Sequence, residues 1–180
     1  MIQKMERDSL EKLKKGDPAA FEKMLLEFEK PIFGYISGMV NQRQTAEDLT
    51  QEVFIKLYKN LKKIDLEKSF KSWLYKIATN TVYDWLKADK RRGEIFSIDE
   101  EDGFETIDGR QSYQNIESGL SLEQGLAKIK PVYRTVLLLF YYEGFSYQEI
   151  SSTLSIPLNT VKTYLKRGKE ALGEQIKEIK

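Results

Sequence analysis

The chain has 180 residues, 41% of them hydrophobic and 32% charged, with 29 Lys plus Arg against 28 Asp plus Glu and a formal net charge of +1. It has no Cys and no His, which excludes disulfides, thiol nucleophiles, Cys-based zinc sites, the common serine-type triad and imidazole acid/base chemistry; a metal site would need carboxylates and amides alone. The longest apolar run, residues 136–142, is far short of the roughly 20 residues that span a bilayer, and the N-terminus lacks a signal-peptide apolar region, so a cytoplasmic chain with no membrane insertion of its own is expected.

The small net charge hides a partition. Residues 1–90 hold 17 basic and 14 acidic side chains, residues 91–121 hold 3 and 8, and residues 122–180 hold 9 and 6. Seven of the middle acids fall between Glu94 and Asp108 with no base among them, in a glycine-containing stretch without helical periodicity. This composition predicts two domains, 1–92 and 122–180, joined by an acidic linker over 93–121.

The fold expected is all-α, two small helical bundles joined by that flexible linker. Leu10 and Leu13 mark a short N-terminal helix. Asp17-Pro18 is an N-cap followed by proline in the first helical position, and Phe21, Leu25, Phe28, Ile32, Ile36 and Met39 continue with a 3.6-residue period. Pro31 is expected to kink or break that helix. Thr45 with Asp48 resembles a capping box opening a helix with Leu49, Val53, Leu57 and Leu61 inward. Ser69 opens another, to about Lys90. Beyond the linker, helices are expected near 122–129 and over 131–143, the latter stopped by Gly144, followed by two short ones. No segment has the period-2 pattern of a strand.

Those last two helices form a candidate helix-turn-helix. Ser146 and Glu149 have capping-box spacing, Ile150 and Leu154 point inward, and Ser155-Ile156-Pro157 makes a tight break. A second helix from about Asn159 turns Val161, Leu165, Gly168 and Leu172 inward. Its outer face carries Asn159, Thr163, Lys166 and Glu170, flanked by Lys162, Arg167 and Lys169. Hydroxyls and backbone N–H groups at the helix start and a lysine edge suit phosphates; Thr163 and Arg167 suit base edges in a major groove. A solvated amphipathic helix on a bundle is the plainer alternative.

In the first domain, the helix from Ser69 is apolar around most of its circumference: Phe70, Trp73, Leu74, Ile77, Ala78 and Trp85 on one side, Tyr75, Val82 and Leu86 on another. One polar sector remains, Lys76, Asn80, Tyr83 and Lys87, flanked by Asp84 and Arg91. Bases interleaved with aromatic rings and an amide are how proteins hold unstacked single strands, while the same residues also suit a bundle core with one satisfied asparagine. The helix over 45–61 turns Asp48, Gln51, Glu52, Ile55 and Lys59 outward. One exposed isoleucine ringed by acids and an amide suits a protein contact, or is a stray apolar residue on a solvated face.

In this order the three pieces resemble a bacterial RNA polymerase sigma factor of the extracytoplasmic-function group, in the sigma-70 superfamily. The run from Thr45 to Phe54 is similar to the segment that binds core RNA polymerase. Phe70, Trp73-Leu74, Ile77-Ala78, Asn80 and Asp84 resemble the helix that melts and reads the −10 element. Residues 147–172, with Glu149-Ile150-Ser151 and Thr160-Val161-Lys162, are similar to the −35-reading helix-turn-helix. The resemblance implies polymerase contacts at Asp48, Gln51, Glu52 and Ile55. It implies −10 DNA contacts at Lys76, Asn80, Tyr83, Asp84, Lys87 and Arg91, helped by the loop over 66–69. It implies −35 contacts at Asn159, Thr160, Lys162, Thr163, Lys166 and Arg167. It further implies an acidic linker lying in a basic polymerase channel, no cofactor, no catalysis, and control by a separate anti-sigma factor. The chain departs from the family pattern at Ser155, where glycine is usual, at Tyr164, where arginine is usual, and at Glu170-Ala171, where the helix end is usually more basic.

A free-standing helix-turn-helix regulator of duplex DNA would use only the second domain and leave Asp48, Glu52 and Asn80 without a role. A metal-dependent phosphoryl-transfer enzyme built on the linker acids is disfavoured, because a glycine-containing flexible stretch holds octahedral magnesium poorly.

Overall fold

A computed structural model describes residues 7–40, 42–90 and 119–179. Among them are eight α-helices and no strand. The acidic segment and Arg91 lie outside the described residues.

Helix α1 (Arg7–Lys14) buries Leu10 and Leu13. Asp17 caps α2 (Pro18–Met39), its carboxylate accepting from Ala20 N–H at 2.8 Å with proline in the first turn, an arrangement worth about 1 kcal/mol. Contrary to expectation, α2 runs unbroken through Pro31. A proline removes a single backbone donor, and on either side of it Met24, Phe28, Ile32, Tyr35 and Ile36 hold the helix with fully buried side chains.

Helix α3 (Arg43–Lys59) begins two residues before the anticipated Thr45, from Gln42, with no side-chain cap. The Thr45 hydroxyl instead donates to the Gln42 side-chain oxygen at 3.2 Å, so there is no capping box. A 3-10 turn (Leu61–Lys63) leads to α4 (Phe70–Lys90). Ser69 accepts from Ser72 N–H at 3.2 Å, as a residue opening that helix should.

In the second half, α5 (Gly119–Lys128) precedes α6 (Pro131–Leu137). The chain then widens into a π-helical stretch, Leu138–Tyr142, and stops at Gly144, whose φ is +70°. Helix α7 (Tyr147–Leu154) carries the anticipated capping box in full, Ser146 and Glu149 each accepting from the other's backbone. Helix α8 (Leu158–Ile179) is 22 residues long, not short. Its inward Gly168 stands where an added Cβ would lie 3.2 Å from the side chains of Leu137 and Tyr133. The residue that weakens the helix by roughly 1 kcal/mol against alanine is therefore the one that lets α6 and α8 approach.

The two halves pack into one continuous apolar core. Within the first half, Leu13, Met24, Phe28, Leu57, Ile64 and Leu74 are fully buried, each worth about 1.5–3 kcal/mol relative to exposure. Between the halves, Tyr75 meets Tyr35 at 5.2 Å and Phe145 at 5.1 Å, both edge-to-face. No described helix is long and apolar enough to cross a membrane.

Candidate nucleic-acid interface

Three surfaces carry the residues singled out in the sequence. On α3, burial of Ala46, Leu49, Val53 and Leu57 leaves Asp48, Gln51, Glu52 and Ile55 together on the outside. Ile55 is 53% exposed, and Tyr58, one turn on from Phe54, is 60% exposed, so the apolar spot is larger than one residue. Asp48 accepts from Gln44 at 3.2 Å. Glu52 pairs with Lys56 at 2.8 Å.

Lys56 is a residue the sequence did not single out. It also donates to Thr81 at 3.1 Å and lies 4.0 Å from Asp84, so it ties the acidic face of α3 to α4. Asp84 is thus a member of a salt-bridge network as well as a neighbour of the polar sector.

On α4 the anticipated sector is split by its surroundings. Asn80 and Lys87 are exposed. Lys76 donates to the Ser155 hydroxyl at 2.8 Å. The Tyr83 hydroxyl bonds that of Thr135 at 2.8 Å, and burial pushes the phenol up to about 12. Lys76 and Tyr83 therefore face the second half of the chain.

On α8, Asn159, Lys162, Thr163, Lys166 and Arg167 are exposed and Thr160 is half-buried. Val161 and Leu165 anchor the opposite side, and Tyr164 packs on Tyr133 with ring centres 5.6 Å apart. The Thr163 hydroxyl donates back to the Asn159 carbonyl at 2.9 Å, which leaves its oxygen as an acceptor and its methyl free for a thymine face. Ser155 sets the angle between α7 and α8 from the left-handed region, φ 56° and ψ 41°. That conformation costs a non-glycine residue about 1–2 kcal/mol, which is the physical reason glycine suits this turn.

Residues 24–92 match the family Sigma-70 region 2, and residues 119–172 match Sigma-70, region 4. The chain is 31% identical to the ECF RNA polymerase sigma factor SigW of Bacillus subtilis, over 99% of its own length and 100% of the relative's. The chain belongs to the extracytoplasmic-function sigma factors. The RNA polymerase sigma-H factor of Pseudomonas aeruginosa is 30% identical over 99% of this chain and 97% of its own. The ECF RNA polymerase sigma-E factor of Escherichia coli K12 is 29% identical over 94% and 93%. Two solved structures share the fold with a TM-score of 0.70: the sigma factor RpoE of Bartonella quintana in complex with the anti-sigma factor NepR (19% identity, 87% of this chain, 96% of that one), and CnrH in complex with the cytosolic domain of CnrY (16% identity, 96% and 97%). This sigma factor is a DNA-binding regulator of transcription, and the free-standing regulator is not favoured, because the matches cover both halves.

Sequence reasoning missed the residues that join the halves. Lys71 donates to the Glu143 carbonyl at 2.7 Å and sits 4.5 Å over the Phe145 ring. The Tyr75 hydroxyl donates to the Glu143 carboxylate. Burial raises the Glu143 carboxyl above its ordinary range, opposed by the Tyr75 bond and the Lys71 charge. An added Cβ at Gly38 would fall 2.9 Å from the Leu138 side chain, and one at Gly34 would fall 2.6 Å from the Tyr142 hydroxyl. These two glycines, one turn apart on α2, form a seat for two residues one turn apart on the π-helical stretch. Their spacing is the one signal the sequence carried for this contact.

Proposed function

We propose that this sigma factor binds core RNA polymerase through Asp48, Gln51, Glu52 and Ile55, directs it to promoters and helps open them. Lys76, Asn80, Tyr83, Asp84, Lys87 and Arg91 serve the melted −10 strand. Asn159, Thr160, Lys162, Thr163, Lys166 and Arg167 read and grip the −35 duplex, bases through Thr163 and Arg167 and phosphates through the lysines. The factor works in the cytoplasm and has no catalytic residue or cofactor of its own; binding and strand separation are its whole contribution. A separate anti-sigma factor controls it, a reading supported by a sigma factor of like fold, RpoE, solved with the anti-sigma factor NepR.

The observation that carries the reading is the presence of both sigma-70 regions on one chain, end to end with SigW. The test adds the pure protein to sigma-free core polymerase and a library of promoter fragments. Specific run-off transcripts, with weak DNA binding by the free protein, are expected. Tight duplex binding without any association with core would overturn it.

A further inference from the structure

Lys56 stands at the seam between the helix with the acidic face and the helix that carries the −10 residues. Its ammonium lies 2.8 Å from Glu52, one turn earlier on α3. It also lies 3.1 Å from the Thr81 hydroxyl and 4.0 Å from Asp84, both on α4. Thr81 is buried, so its oxygen fixes the ammonium at the seam, while Glu52 and Asp84 are exposed. One cation thus serves two carboxylates, the first assigned to polymerase and the second to the melted strand.

We propose that Lys56 is a positioning residue that couples polymerase binding to capture of the −10 strand by exchanging partners: a cationic group of polymerase takes Glu52, and Lys56, held in place by Thr81, turns to Asp84. This rests on the assignment of Glu52 to polymerase and of Asp84 to the strand. Two acids sharing one lysine leave one negative charge at the seam. Lys56 lies nearer Glu52, so Asp84 is the less compensated of the two and repels strand phosphates. Once Glu52 is claimed from outside, the whole charge of the lysine is available to Asp84. That pairing cancels the repulsion. It occupies one carboxylate oxygen and leaves the other to accept from the amino group of an unpaired base. Polymerase thereby improves the strand contact without touching α4. The strand side in turn sets how readily Glu52 is released, because a coupling free energy is the same from both ends.

Exposed ion pairs are individually weak, so each effect is a few-fold. Lys56→Met keeps the aliphatic stem and removes the charge. Lys56→Arg keeps the charge. Asp84→Asn keeps an acceptor oxygen and removes the charge. These three variants, and Lys56→Met combined with Asp84→Asn, are read by helicity and by competition with the parent for core polymerase. At saturating factor they are also read by permanganate reactivity of unpaired thymines on a promoter fragment from which the parent initiates.

Lys56→Met should bind core about threefold tighter, because Glu52 no longer has to be drawn from its own lysine, and should open the promoter about threefold more slowly. Asp84→Asn should weaken core binding about threefold, although it lies off the α3 face. In the Lys56→Met background that weakening should vanish, and opening should return to the level of Asp84→Asn alone. Lys56→Arg should match the parent in both readouts. Joint loss of core binding and opening in Lys56→Met is what a merely structural lysine would give, and overturns the proposal. So do unchanged values, or an opening defect that Asp84→Asn leaves in place. Should Lys56→Met lose helicity, the core affinity of Asp84→Asn decides alone, and unchanged binding there overturns the coupling. A parent that never initiates overturns the functional reading and the exchange with it; a parent that initiates while the two readouts stay unlinked counts against the exchange only.

Discussion

Arg134 donates from one guanidinium nitrogen to the carbonyl of Met39, the last residue of α2, at 2.7 Å, and from the other to Ala127 and Ile129 at the end of α5, at 2.7 and 3.3 Å. No carboxylate is among these partners. The charge is balanced by the C-terminal carbonyls and the negative dipole ends of two helices. Burial lowers the guanidinium to about 10, so it stays charged near neutrality. Replacing it strands three acceptors at once. Arg134→Ala is expected to destabilise the protein by about 3 kcal/mol in urea unfolding, and Arg134→Lys, a point charge that cannot fork, should recover only part of this.

The Ser146–Glu149 box starts the first helix of the helix-turn-helix. Ser146→Ala should cost about 1 kcal/mol and weaken duplex binding by loosening the base of α8, with little effect on single-strand binding. Hydrogen bonds from the Ser146 side chain and backbone hold the Glu149 carboxyl below its ordinary range. Its stabilisation is therefore present above the ordinary carboxylate range and lost as pH falls through the lowered value. Acid titration followed by circular dichroism, compared with Glu149→Gln, measures this.

Glu143 carries the opposite sign. Burial raises its carboxyl, so the folded protein binds its proton more tightly than the unfolded chain does. The packing of the two halves should strengthen as pH falls through the window between the ordinary and raised values, and weaken as pH rises through it. The groups facing it are Lys71 and Tyr75 on α4, with Tyr142 on its own segment acting on Tyr75 and Glu149 of α7 acting on Lys71. Urea unfolding followed as pH falls into the carboxylate range should show the slope, and Glu143→Gln should flatten it.

The helices were legible where the signal is local. Asp17-Pro18 and Ser146…Glu149 are complete within four residues and formed as expected. Thr45…Asp48 has the same look but falls inside a helix that had already begun, because Ala46 is needed in the core. Pro31 was over-read, since burial on both sides outweighs one lost donor. Tyr83 and Lys76 looked like a solvent-facing sector because helical spacing fixes which side chains share a face, not what stands opposite. Glu143 was silent for the same reason, since Lys71 and Tyr75 lie 72 and 68 residues away, and the spacing of Gly34 and Gly38 does not say which residues they seat.

Each interface should answer to one substitution. Glu52→Lys reverses a charge on the face proposed to meet polymerase and removes one partner of Lys56; competition for core polymerase should show at least a tenfold loss. Asn80→Ala should cut promoter opening, read by permanganate reactivity of unpaired thymines, while duplex −35 binding stays unchanged. Lys166→Ala should weaken duplex binding evenly across sequences.

The Gly34/Gly38 seat joins the halves by shape, and Tyr75–Glu143 joins them by a buried bond. Dissolved ions screen neither to any great degree, whereas they strip lysine-held DNA steeply, because binding there releases counterions. Rising ionic strength should thus leave the packed halves intact while weakening the hold of Lys162 and Lys166 on DNA. Fold stability and DNA affinity in this factor should therefore respond to salt separately, the first nearly flat and the second steep.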